Sequence, residues 1–110
     1  MKISIIIYSN DDETVWNAFR FAVTSLIYDN DVSVFLLGKG VEALNENSLF
    51  NIQEQVDAFN ENNGKIIGCG VCVENRMDEM PYLRDLLTCE MGSMQDLYSL
   101  VVEADKVITF

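Results

Sequence analysis

Short apolar runs alternate with segments of helical period along the whole chain, and this alternation restricts the architecture more than any other feature. Ile3–Tyr8 is nearly all apolar and rich in β-branched residues, the pattern of a strand buried on both faces. Ser9-Asn10-Asp11-Asp12 follows as a polar turn with several possible N-caps. Val15/Trp16, Phe19, Ala22/Val23 and Leu26/Ile27 then recur at three and four residues, which predicts a helix with one apolar face. Val32–Leu37 reads as a second strand, ending at Gly38-Lys39-Gly40. Leu49, Ile52, Val56 and Phe59 mark a second amphipathic helix, closed by Asn62-Asn63-Gly64 with Gly64 as the left-handed cap. Lys65–Gly68 is a short third strand. Beyond it the pattern weakens. Pro81 fits the first turn of a short helix through Leu87, and Thr88–Met91 a short fourth strand. Ser93-Met94-Gln95-Asp96 fits a capping box that opens a helix with Leu97, Leu100/Val101 and Ala104 on one face. Lys106–Phe110 is the fifth strand.

The order β-α-β-α-β-(α)-β-α-β predicts an α/β fold, a parallel sheet with helices on both faces and right-handed crossovers. At 110 residues, with no linker or repeat, one domain over residues 1–110 is expected. In open α/β sheets the working residues sit beyond the carboxyl ends of the strands. Three loops therefore come under scrutiny: Ser9–Asp12, Gly38–Val41 and Cys69–Cys72.

Composition removes several chemistries. Histidine is absent, which excludes Ser-His-Asp and Cys-His catalysis and mixed Cys/His zinc sites. Eighteen acidic residues against seven basic ones give a net charge of −11. That charge argues against direct contact with nucleic-acid phosphates or an anionic membrane, and favours a basic partner surface. No segment approaches 18 apolar residues, and Ile3–Tyr8 is too short for a signal-peptide core. A cytoplasmic, reducing location is expected, where thiols stay free unless they are working.

Three cysteines cannot all pair within one chain. Cys69 is the leading candidate for chemistry. It ends the third strand between Gly68 and Gly70, which let the backbone turn sharply and leave the sulfur uncrowded. A helical turn over Val71–Met77 would place Cys69 at its N-terminus, where free N–H groups favour the thiolate. Arg76 is the nearby cation in sequence. The plainer alternative is a small buried hydrophobe. Cys72 completes a C-x-x-C, which suits a redox dithiol, half of a metal site, or a reactive cysteine with a neighbour. Zinc wants four ligands, and only Cys89 remains, so neither a metal nor a cofactor is expected. Cys89 reads as core beside Leu86, Leu87 and Met91. Gly38-Lys39-Gly40 lacks the Walker and G-x-G-x-x-G patterns, and a plain turn explains it better than a phosphate cradle. Asp11-Asp12-Glu13 is explained more simply by helix capping than by a hard cation. Met77, Met80, Met91 and Met94 suit either core packing or an adaptable subunit contact.

Together these residues resemble the DsrE/DsrF-like sulfur-relay family, which includes TusD-type subunits and small Cys-Gly-x-Cys relatives. Four features carry the resemblance over essentially the whole chain. These are the first strand, turn and aromatic-bearing helix (Ile3–Tyr8, Asn10–Asp12, Trp16/Phe19); Gly38-Lys39-Gly40-Val41; Cys69 followed by Arg76; and Gly92-Ser93-Met94 leading to Ala104–Phe110. The resemblance implies a three-layer α/β/α domain with a five-stranded parallel sheet. It also implies assembly into homotrimers or hexamers, and a persulfide-forming cysteine at Cys69. Gly70 and Arg76 would support the anionic sulfur, and Cys72 would resolve it or tune its neighbour. Met77 departs from the family, which usually has Gly after the Arg. The expected function is that of a sulfur carrier, possessing no cofactor, that exchanges sulfane sulfur with donor and acceptor proteins of basic surface. Two alternatives stand beside it: a non-catalytic oligomeric binding module, and a Cys69/Cys72 dithiol redox protein.

Overall fold

A computed structural model describes residues 1–44 and 48–110. The chain runs β1 (Lys2–Ile7), α1 (Asp12–Ile27), β2 (Asp31–Leu36), a 3-10 turn (Gly38–Glu42), α2 (Ile52–Glu61), β3 (Lys65–Cys69), α3 (Gly70–Glu74), α4 (Leu83–Leu86), β4 (Glu90–Gly92), α5 (Met94–Glu103) and β5 (Lys106–Thr109). The five strands form one sheet in the order β4-β3-β2-β1-β5, with every pairing parallel. The chain steps outward from β1 to β4, then returns across the sheet to add β5 beyond β1. Right-handed crossovers place helices on opposite faces when the direction of travel reverses. Accordingly α1 and α2 pack together on one face while α5 lies on the other against β1 and β4. Ser4 Oγ donates to the Leu100 carbonyl of α5 at 2.8 Å. By alternation along β1, Ile3, Ile5 and Ile7 point the opposite way, into the core beneath α1 and α2.

That core explains the local choices. Ile5, Ile7, Val34 and Leu36 are fully buried, as expected for central parallel strands. Phe19 of α1 meets Phe59 of α2 edge-on, with ring centroids 5.9 Å apart at 71°, a favoured aromatic geometry. Asp11 caps α1 by accepting from the Thr14 N–H and hydroxyl. Capping thus accounts for that acidic run, and the same N–H bond is what chiefly lowers the Asp11 pKa. Ser93 and Asp96 form the reciprocal capping box of α5.

Several sequence expectations shift. Asn63, not Gly64, takes the left-handed position after α2, with φ 67°. Gly64 is required for another reason, since a Cβ there would lie 2.5 Å from the Phe59 ring. Asn51 is the cap of α2, so Leu49 precedes the helix and is almost wholly exposed. Phe50 packs on Trp16 instead, 5.1 Å between centroids. Pro81 lies before α4 rather than in its first turn, and β4 begins at Glu90. On α5 only Leu97 is buried, and Met94, Tyr98, Val101 and Val102 face solvent. Among the described residues no helix is long and apolar enough to cross a membrane.

Candidate functional site

The loops after β1, β2 and β3 converge at the carboxyl end of the sheet, and the cysteine turn lies among them. Cys69 is the last residue of β3 and the N-cap of α3, with extended backbone (φ −69°, ψ 113°). Its Sγ accepts from the Cys72 N–H at 3.4 Å. Cys72 Sγ in turn accepts from the Gly38 N–H at 3.3 Å. Gly38 adopts φ 56°, a left-handed conformation that glycine enters without penalty. Gly70 is partly exposed, and a Cβ there would meet only the Gly92 carbonyl oxygen and Met91 Cβ, at 3.5 and 4.0 Å. All three cysteines are free thiols.

Cys69 is 5 % exposed, and this reverses one expectation. Burial pushes its thiol pKa up, and the Cys72 side chain hydrogen-bonded to it adds to the rise; the Cys72 and Val71 N–H groups oppose this without prevailing. Desolvation disfavours the charged sulfur, and five residues of α3 supply little dipole to offset it. The resting Cys69 is thus held as a thiol. Cys72 is partly exposed.

Arg76 does not reach toward the sulfur as a free cation. Its Nε donates to Glu42 Oε2 at 2.6 Å, and its Nη1 donates to the Cys72 carbonyl at 3.0 Å. Asn10 Nδ2 donates to Glu42 Oε1 at 3.3 Å. Arg76 therefore fastens α3 to the turn after β2, and Asn10 ties in the loop after β1. Glu42 is the residue that sequence reasoning missed, while Asn10 belongs to the suspected Ser9–Asp12 loop. Glu42 lies one position past the suspected Gly38–Val41 loop, and its partner is 34 residues away, beyond any local pattern.

The Arg76 hydrogen bond is the main cause of the lowered Glu42 pKa, aided by Asn10 and opposed by burial. A carboxylate with a depressed folded pKa contributes stability that is complete above its unfolded value, ordinarily 4.5, and is lost as pH falls through the folded value. Glu42→Gln is therefore expected to lower stability by about 1.5–3 kcal/mol at pH 7, the range of hydrogen bonds to charged groups. The difference from wild type should hold steady down to about pH 5 and shrink below it. Urea unfolding from pH 7 to pH 3 measures this; a difference that grew toward acid would contradict the assignment.

Cys89 is half-buried and its pKa is raised by burial. Its Sγ sits 3.4 Å from where a Gly68 Cβ would lie. Gly68 and Cys69 face opposite sides of β3, so the sheet separates Cys89 from the other two sulfurs. A cavity of about 740 Å³ opens beyond Glu42, bordered by Asn10, Leu44, Met80 and Leu83; neither Cys69 nor Cys72 lines it. The Gly38-Lys39-Gly40 stretch belongs to a 3-10 turn held against β1, with the Gly40 N–H donating to the Leu37 carbonyl at 2.9 Å. Among the described residues no group of three or more Cys, Asp or Glu converges as a metal site.

Fold and site together define a small parallel α/β protein with a thiol pair on the turn after its third strand. The sequence profile of the DsrE/DsrF-like family matches residues 1–110, and the chain belongs to that family. It is 31% identical over 118 residues to uncharacterized protein MJ0989 of Methanocaldococcus jannaschii, covering all of both chains. It is 30% identical over 103 residues to uncharacterized protein MK0008 of Methanopyrus kandleri, covering 89% of this chain and 83% of that one. Among solved structures, the ychN protein from E. coli superposes with a TM-score of 0.75 over the full length of both chains at 23% identity. The conserved protein BT1422 of unknown function from Bacteroides thetaiotaomicron gives 0.72, covering 99% of this chain and 94% of that one at 17% identity. At these identities the two structures establish the fold.

Proposed function

We propose that this protein is a sulfur carrier that holds sulfane sulfur as a persulfide on Cys69 and passes it to a partner protein. The observation that carries this reading is the turn itself: two free thiols in one turn at the end of β3, each accepting a backbone N–H, Cys69 from Cys72 and Cys72 from Gly38. Such donors stabilise anionic sulfur, and thiol exchange needs a nucleophile with access to its substrate. Membership of the DsrE/DsrF-like family supports sulfur as the cargo. The net charge of −11 favours donor and acceptor proteins with basic surfaces. The exposed apolar side of α5, with Met94, Tyr98 and Val102, favours association between copies of the chain.

Incubation with glutathione persulfide followed by intact-mass spectrometry tests the reading. Wild type should gain about 32 Da, the mass of one sulfur joined to a thiol. The double variant Cys69→Ser/Cys72→Ser should gain none. A wild type without the adduct, or a double variant that carries as much sulfur through Cys89, would rule the reading out.

A further inference from the structure

The two thiols of the turn are not equivalent, and their difference orders the chemistry. Cys69 is 5 % exposed beneath the turn. Cys72 is partly exposed, beside the partly exposed Gly70 and the exposed Val71. A persulfide exchanges sulfur only if a thiolate can line up with its S–S bond, and a donor, free or held on another protein, brings that bond to a sulfur as enclosed as Cys69 far more slowly than to a more open one. Cys72 meets the donor first. Its Sγ already accepts from the Gly38 N–H at 3.3 Å, a donor placed where charge develops when that sulfur becomes the leaving group of the second transfer. Its backbone is fixed by Arg76 through the carbonyl, and Arg76 is fixed by Glu42. The Cys72 backbone N–H donates to Cys69 Sγ at 3.4 Å.

Resting on the sulfur-carrier reading above, we infer that Cys72 is the receiving thiol and Cys69 the storage thiol of a two-station relay within one turn. In the first step the Cys72 thiolate attacks the outer sulfur of a donor R–S–SH. The donor S–S bond breaks, R–S⁻ leaves and takes a proton from water, and Cys72–S–SH forms. In the second step Cys69 attacks the same outer sulfur. The Cys72–S bond breaks, Cys69–S–SH forms, and the Cys69 proton passes to the departing Cys72 sulfur. Neither step needs an oxidant or reductant, because the sulfane sulfur changes partner without changing oxidation level. The enclosed position of Cys69 then shields the stored sulfur from small thiols in solution.

Two measurements test the order. In wild type, iodoacetamide at neutral pH should alkylate Cys72 at least about tenfold faster than Cys69, following access to the thiolate. The reverse order would overturn the relay, and this readout needs no variant. The second is quenched-flow loading with glutathione persulfide, mapped by peptide mass spectrometry. Wild-type sulfur should appear on Cys72 first and on Cys69 later. Cys72→Ser, with Cys72→Ala as a check on folding, should load Cys69 at least about tenfold more slowly, and Cys69→Ser should keep its sulfur on Cys72. Undiminished loading of Cys69 in both Cys72 variants would overturn the relay while leaving the sulfur-carrier reading intact. Sulfide release with a Cys69–Cys72 disulfide, a loss of about 2 Da, would also overturn it, in favour of dithiol redox chemistry. Absence of any sulfur on wild type would remove both readings.

Discussion

Gly40→Ala is expected to lower the melting temperature by about 10 °C or more, through a loss of at least about 3 kcal/mol. A Cβ at position 40 would lie 1.9 Å from the Ile7 carbonyl oxygen and 2.8 Å from its carbon. That carbonyl cannot move aside. Ile7 is fully buried at the end of β1, and its oxygen accepts from the Leu37 N–H at 3.0 Å. The 3-10 turn must move instead, and with it two groups used at the site, the Gly38 N–H and the Glu42 carboxylate. Thermal unfolding followed by circular dichroism measures the effect. Lys39→Ala, at an exposed neighbouring position, is the control and should leave the melting temperature nearly unchanged. A Gly40→Ala protein as stable as wild type would mean that the turn does not press on β1.

Phe59→Ala is expected to cost about 3–5 kcal/mol, the range for truncating a fully buried aromatic side chain. A domain of this kind has only about 5–15 kcal/mol in total, so the variant should unfold at a much lower urea concentration. Phe59 is fully enclosed, joins α2 to α1 through Phe19, and lies against Gly64. None of these neighbours can close over the hole without breaking its own contacts. A double-mutant cycle with Phe19→Leu and Phe59→Leu should return about 0.5–1.5 kcal/mol for the edge-on pair itself. A coupling near zero would mean that the two rings contribute only through their separate burial.

The layers of the fold were legible because its central strands are apolar on both faces and its long helices on one. Ile3–Tyr8 and Val32–Leu37 announce β1 and β2 with little ambiguity, and the Ser93–Asp96 capping box marks the start of α5. Legibility fails where the signal is tertiary. Between Val73 and Leu87 only Val73, Leu83 and Leu87 are buried, too few to set a period. Leu49 continues the spacing of α2, yet Asn51 starts the helix after it. Position marked Cys69 as notable, but the surroundings that enclose its sulfur come from other strands and turns. The expectation of a favoured thiolate failed for that reason. Arg76 was read as a charge near sulfur; its partner Glu42 could be found only in three dimensions, and what the arginine does is hold a backbone in place.

The 3-10 turn from Gly38 to Glu42 also bears on how chains like this one can change length. The turn offers an N–H from its first residue to Cys72 on the cysteine helix and a carboxylate from its last to Arg76 just beyond that helix. At three residues per turn, one inserted or deleted residue would swing Glu42 by about 120° about the axis. Arg76 would lose its partner and the Cys72 carbonyl its anchor, although every residue type at the site was retained. The spacing between Gly38 and Glu42 is therefore a closed register. Insertions have to be accommodated elsewhere in the chain, and a relative with a gap in this stretch would have to fix its cysteine turn by some other means.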